Sequence, residues 1–151
     1  MIDIIWKFRK FDELTLDELY GILQLRAEVF VVEQDCPYQD LDGKDQSAYH
    51  LFAEDNGEVI AVLRILPENV SFDDMAIGRV IVKKSNRGKG LSREMMGKAM
   101  DFIFNDLGKN RIRLSGQAYL CEFYESLGFK KVSECYLEDG IEHFEFLALK
   151  N

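Results

Sequence analysis

Residues 75–107 read MAIGRVIVKKSNRGKGLSREMMGKAMDFIFNDL, a strand, a turn and a helix in direct succession. Met75–Val82 is dense in Ile and Val, the composition of a strand covered on both faces and therefore central in its sheet. Leu91–Leu107 carries a helical pattern, and Gly108 stands where a helix stops. The joint between them is basic: Lys83, Lys84, Arg87, Lys89 and Arg93 fall within eleven residues that contain no acid. A helix start leaves several backbone N–H groups unpaired, and the aligned peptide dipoles favour negative charge there. Gly88 and Gly90 allow an anion to approach those amides without a Cβ in the way. With Arg87 and Lys89 added, the turn suits a diphosphate; the alternative is a solvated basic turn that only caps the helix.

The rest of the chain places sheet on both sides of this unit. Ile4–Arg9 alternates as a strand, and Thr15 with Glu18 reads as a capping box opening a helix to about Val32. Its apolar stripe is read from Leu16, Leu19, Leu23 and Phe30. Residues 33–49 are polar and acidic, a loop with short helical turns. Tyr49–Glu54 and Glu58–Leu66 flank Asn56-Gly57, a hairpin signal. Arg111–Ser115 is read as a strand and Leu120–Leu127 as a short helix ending at Gly128. Phe129–Leu137 and Ile141–Leu149 are read as strands joined by Glu138-Asp139-Gly140. The expected result is an α/β chain, one domain over residues 1–151, with a mixed sheet and flanking helices.

Charge and cysteine usage exclude several classes. With 27 Asp and Glu against 19 Lys and Arg, the net charge is -8, unsuited to general nucleic-acid binding. No run is apolar enough to span a bilayer, and no secretory signal is expected at the start. Cys36, Cys121 and Cys135 are scattered and odd in number, which favours a reducing cytoplasm over a disulfide framework. They lack metal-ligand spacing, so no metal is expected. A P-loop needs GxxxxGK[ST], which is missing. The GxGxxG dinucleotide fingerprint fails because Gly88-Lys89-Gly90-Leu91-Ser92-Arg93 ends in arginine. In Asp40-Leu41-Asp42-Gly43 the glycine comes too early for an EF-hand.

Arg87-Gly88-Lys89-Gly90-Leu91-Ser92 after the fourth strand resembles the [QR]-x-x-G-x-[GA] signature of the GNAT acetyltransferase superfamily, with Ser92 in place of the last Gly or Ala. A second block, QAYLCEFYESLGF from Gln117 to Phe129, is similar to that superfamily's N-x-x-A-x-x-x-Y-x-x-x-G-F. Gln117 stands where Asn is common, and Tyr124, Gly128 and Phe129 match. LRAEVFVVEQDCPYQDLDGKD, IGRVIV and EDGIEHFEF narrow the resemblance to the ElaA-like branch. The first of these, with YHLFAEDNGEVIAVLRILP, is also similar to acyl-homoserine-lactone synthases, which share the GNAT fold.

The resemblance implies a mostly antiparallel sheet of about six to seven strands with a V-shaped splay between strands 4 and 5. It implies acetyl-CoA as the acyl donor, with pantetheine along Val80, Ile81 and Val82 and a backbone N–H near Val80 facing the thioester carbonyl. The pyrophosphate would meet Arg87, Gly88, Lys89, Gly90, Leu91 and Ser92, with Gln117 also on the donor. Tyr124 would be the general acid that protonates the CoA sulfur, a phenol being neutral at pH 7. The base is open among His143, just after the turn, His50, and Glu33 acting through water. Glu33, Asp35, Asp40, Asp42 and Asp45 form either a mouth that attracts a cationic amine or a solvated loop. Arg79, if it points inward, needs a carboxylate from that segment. The expected activity is acetyl transfer to a primary amine, on a small molecule or peptide, by direct attack in a ternary complex. The rivals are an acyl-homoserine-lactone-synthase-like reaction and a CoA-binding regulatory module without turnover. A homodimer is compatible with the chain.

Overall fold

The computed structural model describes residues 4–151. Strand β1 (Ile4–Lys10) leads to helix α1 (Leu16–Arg26), then β2 (Tyr49–Asp55), β3 (Glu58–Leu66) and β4 (Met75–Val82). Helix α2 (Leu91–Asp101), β5 (Arg111–Gln117) and α3 (Cys121–Ser126) follow, and β6 (Lys130–Lys131), β7 (Tyr136–Glu138) and β8 (Ile141–Leu149) close the chain. The sheet runs β1-β2-β3-β4-β5-β8-β6, with β7 also on β8. Every pairing is antiparallel except β4–β5, which holds only Met75↔Ile112 and Ala76↔Arg113. Beyond Ala76 the two strands part, which is the expected splay. Among the described residues, no helix is long and apolar enough to cross a membrane.

Local chemistry accounts for most element boundaries. The capping box forms: Glu18 N donates to Thr15 Oγ1 at 3.0 Å, and Thr15 N donates to Glu18 Oε1 at 2.9 Å. Asn56 and Gly57 both take positive φ, as do Asp139 and Gly140, the backbone that two-residue hairpins need to match strand twist. Both helices extend through a π-helical segment, Ala27–Glu33 after α1 and Phe102–Asp106 after α2.

Three expectations are corrected. The sheet has eight strands rather than six or seven, because Phe129–Leu137 is not continuous. At Ser133 the side-chain hydroxyl, not a backbone carbonyl, accepts from Glu145 N at 2.9 Å, and the ladder breaks there into β6 and β7. The buried face of α1 and its extension is Ile22, Leu25, Arg26 and Val29, and Leu16 is exposed. Arg26 must face inward to meet Asp40 and Asp45, which rotates the helix off the stripe read from its leucines.

The sheet buries apolar side chains on both faces. On one, Met95, Met96, Ala99 and Ile103 from α2 and its extension pack on Leu63, Ile77 and Leu114. On the other, Ile22, Leu25 and Val29 pack on Phe52, Val62 and Ile81.

Candidate active site

The splay opens a cavity of about 380 Å³ that passes through the sheet between β4 and β5. Alternation along β5 assigns its two faces. Leu114 and Gly116 point toward α3, where a Cβ on Gly116 would lie 2.6 Å from Tyr124 Cε2. Ser115 and Gln117 point the other way, toward Tyr136 and Gln34.

At the mouth, Gly88 and Gly90 have φ of 80° and 78°, a left-handed conformation that turns β4 into α2 within a few residues. Gly90 is the N-cap, so the first-turn amides of α2 follow directly from this turn. Arg87 and Ser92 line the cavity, as do Val80, Ile81, Val82 and Gln117. Gly88, Lys89, Gly90 and Leu91 are not part of its wall. The Leu91 side chain is in the core, so what it can offer a ligand is backbone.

β4 is interrupted inside the cavity. Val62 faces Ile81 and Arg64 faces Gly78, so Arg79 and Val80 together oppose Leu63 in a bulge, and Arg79 has φ +52°. The bulge takes Val80 out of the β3 ladder and leaves its backbone on the gap. Arg79 finds the carboxylate it was expected to need: its Nε lies 2.7 Å from Asp40 Oδ1, close enough to pair though not in line for a hydrogen bond. Its guanidinium also sits near the Phe30 and Tyr38 rings, 5.9 and 6.0 Å from their centroids. Burial pushes the Tyr38 hydroxyl up to about 12, so it remains a donor, 3.2 Å from Asp40 Oδ1.

The acidic mouth is overturned at Asp40, Asp42 and Asp45. Asp40 and Asp45 take Arg26 at 2.9 and 2.6 Å, and Asp42 and Asp45 take Arg64 at 2.6 and 3.0 Å. Burial alone would raise the carboxyls of Asp42 and Asp45. Hydrogen bonds from Arg64 and Arg26 outweigh it and hold both below the ordinary carboxylate range. These acids pin the α1–β2 segment to the sheet. His50 belongs to the same cluster: it is fully buried, its Nε2 donates to Asp45 O at 2.9 Å, and burial lowers its pKa. It does not line the cavity, so its role is structural.

Tyr124, Glu33 and His143 meet in the cavity, whereas Asp35 is exposed and outside its wall. Tyr124 packs against Phe146 and Phe129, with ring centroids 5.1 and 6.1 Å away, and burial pushes its hydroxyl well above the ordinary phenol range. It therefore stays a neutral donor. Glu33 is bound in two places to Arg87, at 2.6 and 3.0 Å, and that contact lowers its carboxyl pKa. His143 Nδ1 lies 2.7 Å from Ile141 O. A carbonyl only accepts, so in the neutral ring the proton sits on Nδ1 and the lone pair on Nε2. Sequence reading missed Gln34, Cys36, Tyr38 and Glu138 in this wall; the turn at residues 138–140 was legible only as a turn.

The family model of the acetyltransferase (GNAT) domain matches residues 15–148. The chain belongs to the GNAT acetyltransferase family. It is 41% identical to protein ElaA of Escherichia coli (strain K12) over 142 residues, 93% of each chain. It is similar to an acyl-CoA N-acyltransferase from Pseudomonas aeruginosa at TM-score 0.91 and 40% identity, covering 97% of this chain and 99% of that one. A CoA-dependent acyl-homoserine lactone synthase shares the fold at TM-score 0.77, with 16% identity, over 97% of this chain and 82% of that one. Membership of this family makes the chain an acyl-CoA-dependent acyltransferase by kind.

Proposed function

We propose that this protein transfers an acetyl group from acetyl-CoA to a primary amine by direct attack in a ternary complex, without an acyl-enzyme. The observation that carries this reading is one cavity lined by Tyr124 from the α3 side of β5 and by His143 from the Gln117 side. Direct transfer needs an acid for the leaving thiolate and a base for the incoming ammonium on opposite sides of one carbonyl.

The donor's pyrophosphate would sit against the α2 first-turn amides and Arg87, as charge and dipole both favour. Pantetheine would follow Val82 to Val80, and the bulge supplies a strand amide, fixed in direction, for the developing oxyanion. The amine approaches from the His143 side and gives a proton to Nε2. The nitrogen forms its bond to the carbonyl carbon, the C–S bond breaks, and Tyr124 protonates the sulfur, regaining a proton from the nitrogen. At the narrow end of the splay, Ile77 and Leu114 are buried and the β4–β5 ladder closes, which supports a short acyl group over a long one.

The test is turnover of acetyl-CoA against peptide N-termini, lysine, polyamines and small antibiotic amines, with free thiol and acetylated product both measured. Gly90→Asp, which strains the left-handed turn and adds negative charge at the phosphate site, should abolish CoA binding, while Lys84→Ala should change it little. Thiol release with no amine acceptor in the panel, or equal effects of the two substitutions, would sink the reading.

A further inference from the structure

Acetyl-CoA and an ammonium give an amide, a thiol and one proton. Two protons leave the nitrogen; one ends on sulfur, and the other must leave the enzyme. His143 is 6% exposed, so a proton taken up on Nε2 starts from a buried site. The Nδ1 proton is held on Ile141 O, which closes that side of the ring. The exit must therefore begin at Nε2.

We propose that Glu138 is a positioning residue for His143 and the exit for that proton, an inference that rests on His143 acting as the base. Glu138 Oε2 lies 3.4 Å from His143 Nε2, and the Glu138 side chain is 49% exposed. The carboxylate thus joins a buried nitrogen to solvent. The two-residue turn at Asp139-Gly140 pairs Glu138 with Ile141 and Tyr136 with His143. Since strand side chains alternate, 136, 138, 141 and 143 share one face, with Glu138 one step nearer the turn and the water. Tyr136 stacks on the imidazole at 6.1 Å, and its hydroxyl bonds Ser115 on β5, which braces the ring from the strand side.

Of the other titratable groups that line the cavity, Asp139 and Tyr119 are exposed at its rim, and the rest are engaged or on another wall. Glu33 is paired with Arg87 and Arg79 with Asp40. Cys36 donates to Asp139 O and Tyr38 to Asp40. Tyr124 lies beyond β5, on the α3 side. Gln117, opposite His143 on β5, carries no ionisable proton and bonds Gln34. Among the described residues, Glu138 is the carboxylate within ion-pairing distance of Nε2. An ionised carboxylate there favours the imidazolium as it forms and then takes its proton, returning the ring to neutral.

The experiment measures turnover against pH in wild type, Glu138→Gln, Glu138→Asp and His143→Gln, at several concentrations of added imidazole. Glu138→Gln should lower kcat by about tenfold, less than the 10²–10⁴ usual for loss of a base itself. Added imidazole should restore much of that loss, and Glu138→Asp should fall between Gln and wild type. Folding is checked by thermal melting, which substitution of a half-exposed side chain should leave in place. A Glu138→Gln profile that superimposes on wild type, with no imidazole dependence, overturns the inference alone if His143→Gln has lost its acid limb. If His143→Gln keeps that limb, the base assignment fails and the inference with it.

Discussion

The carboxylate of Glu33 grips the guanidinium of Arg87 through two hydrogen bonds, 2.6 and 3.0 Å long, at the mouth of the β4–β5 cavity. Arg87 Nε donates to Val82 O at 3.0 Å, so the guanidinium is tied both to the end of β4 and to the segment after α1. The next residue, Gln34, exchanges two side-chain hydrogen bonds with Gln117 on β5, each Nε2 donating to the other's Oε1, at 3.4 and 3.3 Å. Glu33 and Gln34 together span the open end of the splay.

An anion bound at the proposed phosphate site would compete with Glu33 for Arg87. Exposed ion pairs are worth about 0.2–1 kcal/mol, and removing a like charge from a phosphate site adds a comparable amount. Glu33→Gln should therefore tighten CoA binding about three- to tenfold in low-salt calorimetry, with the advantage shrinking as salt rises. The acid limb of the pH–rate profile should survive, since a carboxylate held ionised by Arg87 is poorly placed to serve as base. Weaker CoA binding would instead assign the pair to holding the turn's shape.

Tyr124→Phe keeps the ring against Phe129 and Phe146 and removes only the hydroxyl. CoA affinity and melting temperature should persist, while kcat falls about 10²–10⁴-fold when thiolate protonation limits the rate. Stopped-flow thiol release distinguishes chemistry from product release. Unchanged chemistry would leave Tyr124 as a packing residue.

Gly116 makes room for that ring. A Cβ there would meet Tyr124 Cε2 at 2.6 Å and both Leu114 Cδ1 and Phe146 Cε2 at 3.1 Å. Gly116→Ala should cost about 1–3 kcal/mol by overpacking and displace the phenol from the gap. Its effect on kcat should largely disappear in a Tyr124→Phe background, where no hydroxyl remains to misplace. Full additivity of the two losses in kcat would show that Gly116 acts on something other than Tyr124.

Asp45 accepts from both Arg26 and Arg64 and is 6% exposed. Asp45→Asn leaves two buried guanidiniums short of a charge and should cost about 3–5 kcal/mol. For a chain of this size, that lowers Tm by about 2–4 °C per kcal/mol. The pH dependence follows from the lowered carboxyls of Asp42 and Asp45. Their stabilisation is complete above the ordinary carboxylate pKa of about 3.9 and is lost as pH falls below it through the depressed folded values. Wild-type Tm should fall steeply below about pH 4, and less steeply in Asp45→Asn. The KM for amine should show no special response to Asp42→Asn, because that carboxylate is held by Arg64 rather than offered to a substrate.

Much of the architecture was legible in the sequence because its determinants are local. Thr15 and Glu18 are three residues apart and cap each other; Asn56-Gly57 and Asp139-Gly140 are turns because of their own backbone preferences. The β4–turn–α2 unit follows from an Ile/Val strand, two glycines at positive φ and a helix start, all within one stretch of chain. Even the need of Arg79 for a carboxylate could be read from a charge set among strand residues.

Tertiary structure decided which groups meet. Charge composition gives the same sign to Asp40 as to Glu138, yet one is committed to Arg26 and Arg79 and the other faces His143. His50 and His143 differ only in what surrounds them, a sealed ionic cluster or an open cavity. The leucine stripe of α1 lost to the inward turn of Arg26, and the strand after Phe129 lost its continuity to the Ser133 hydroxyl. Glu33 met Arg87 across 54 residues of sequence and Gln34 met Gln117 across 83. Backbone propensity acts over a few residues, whereas ion pairing and burial depend on distances that exist only once the sheet has assembled.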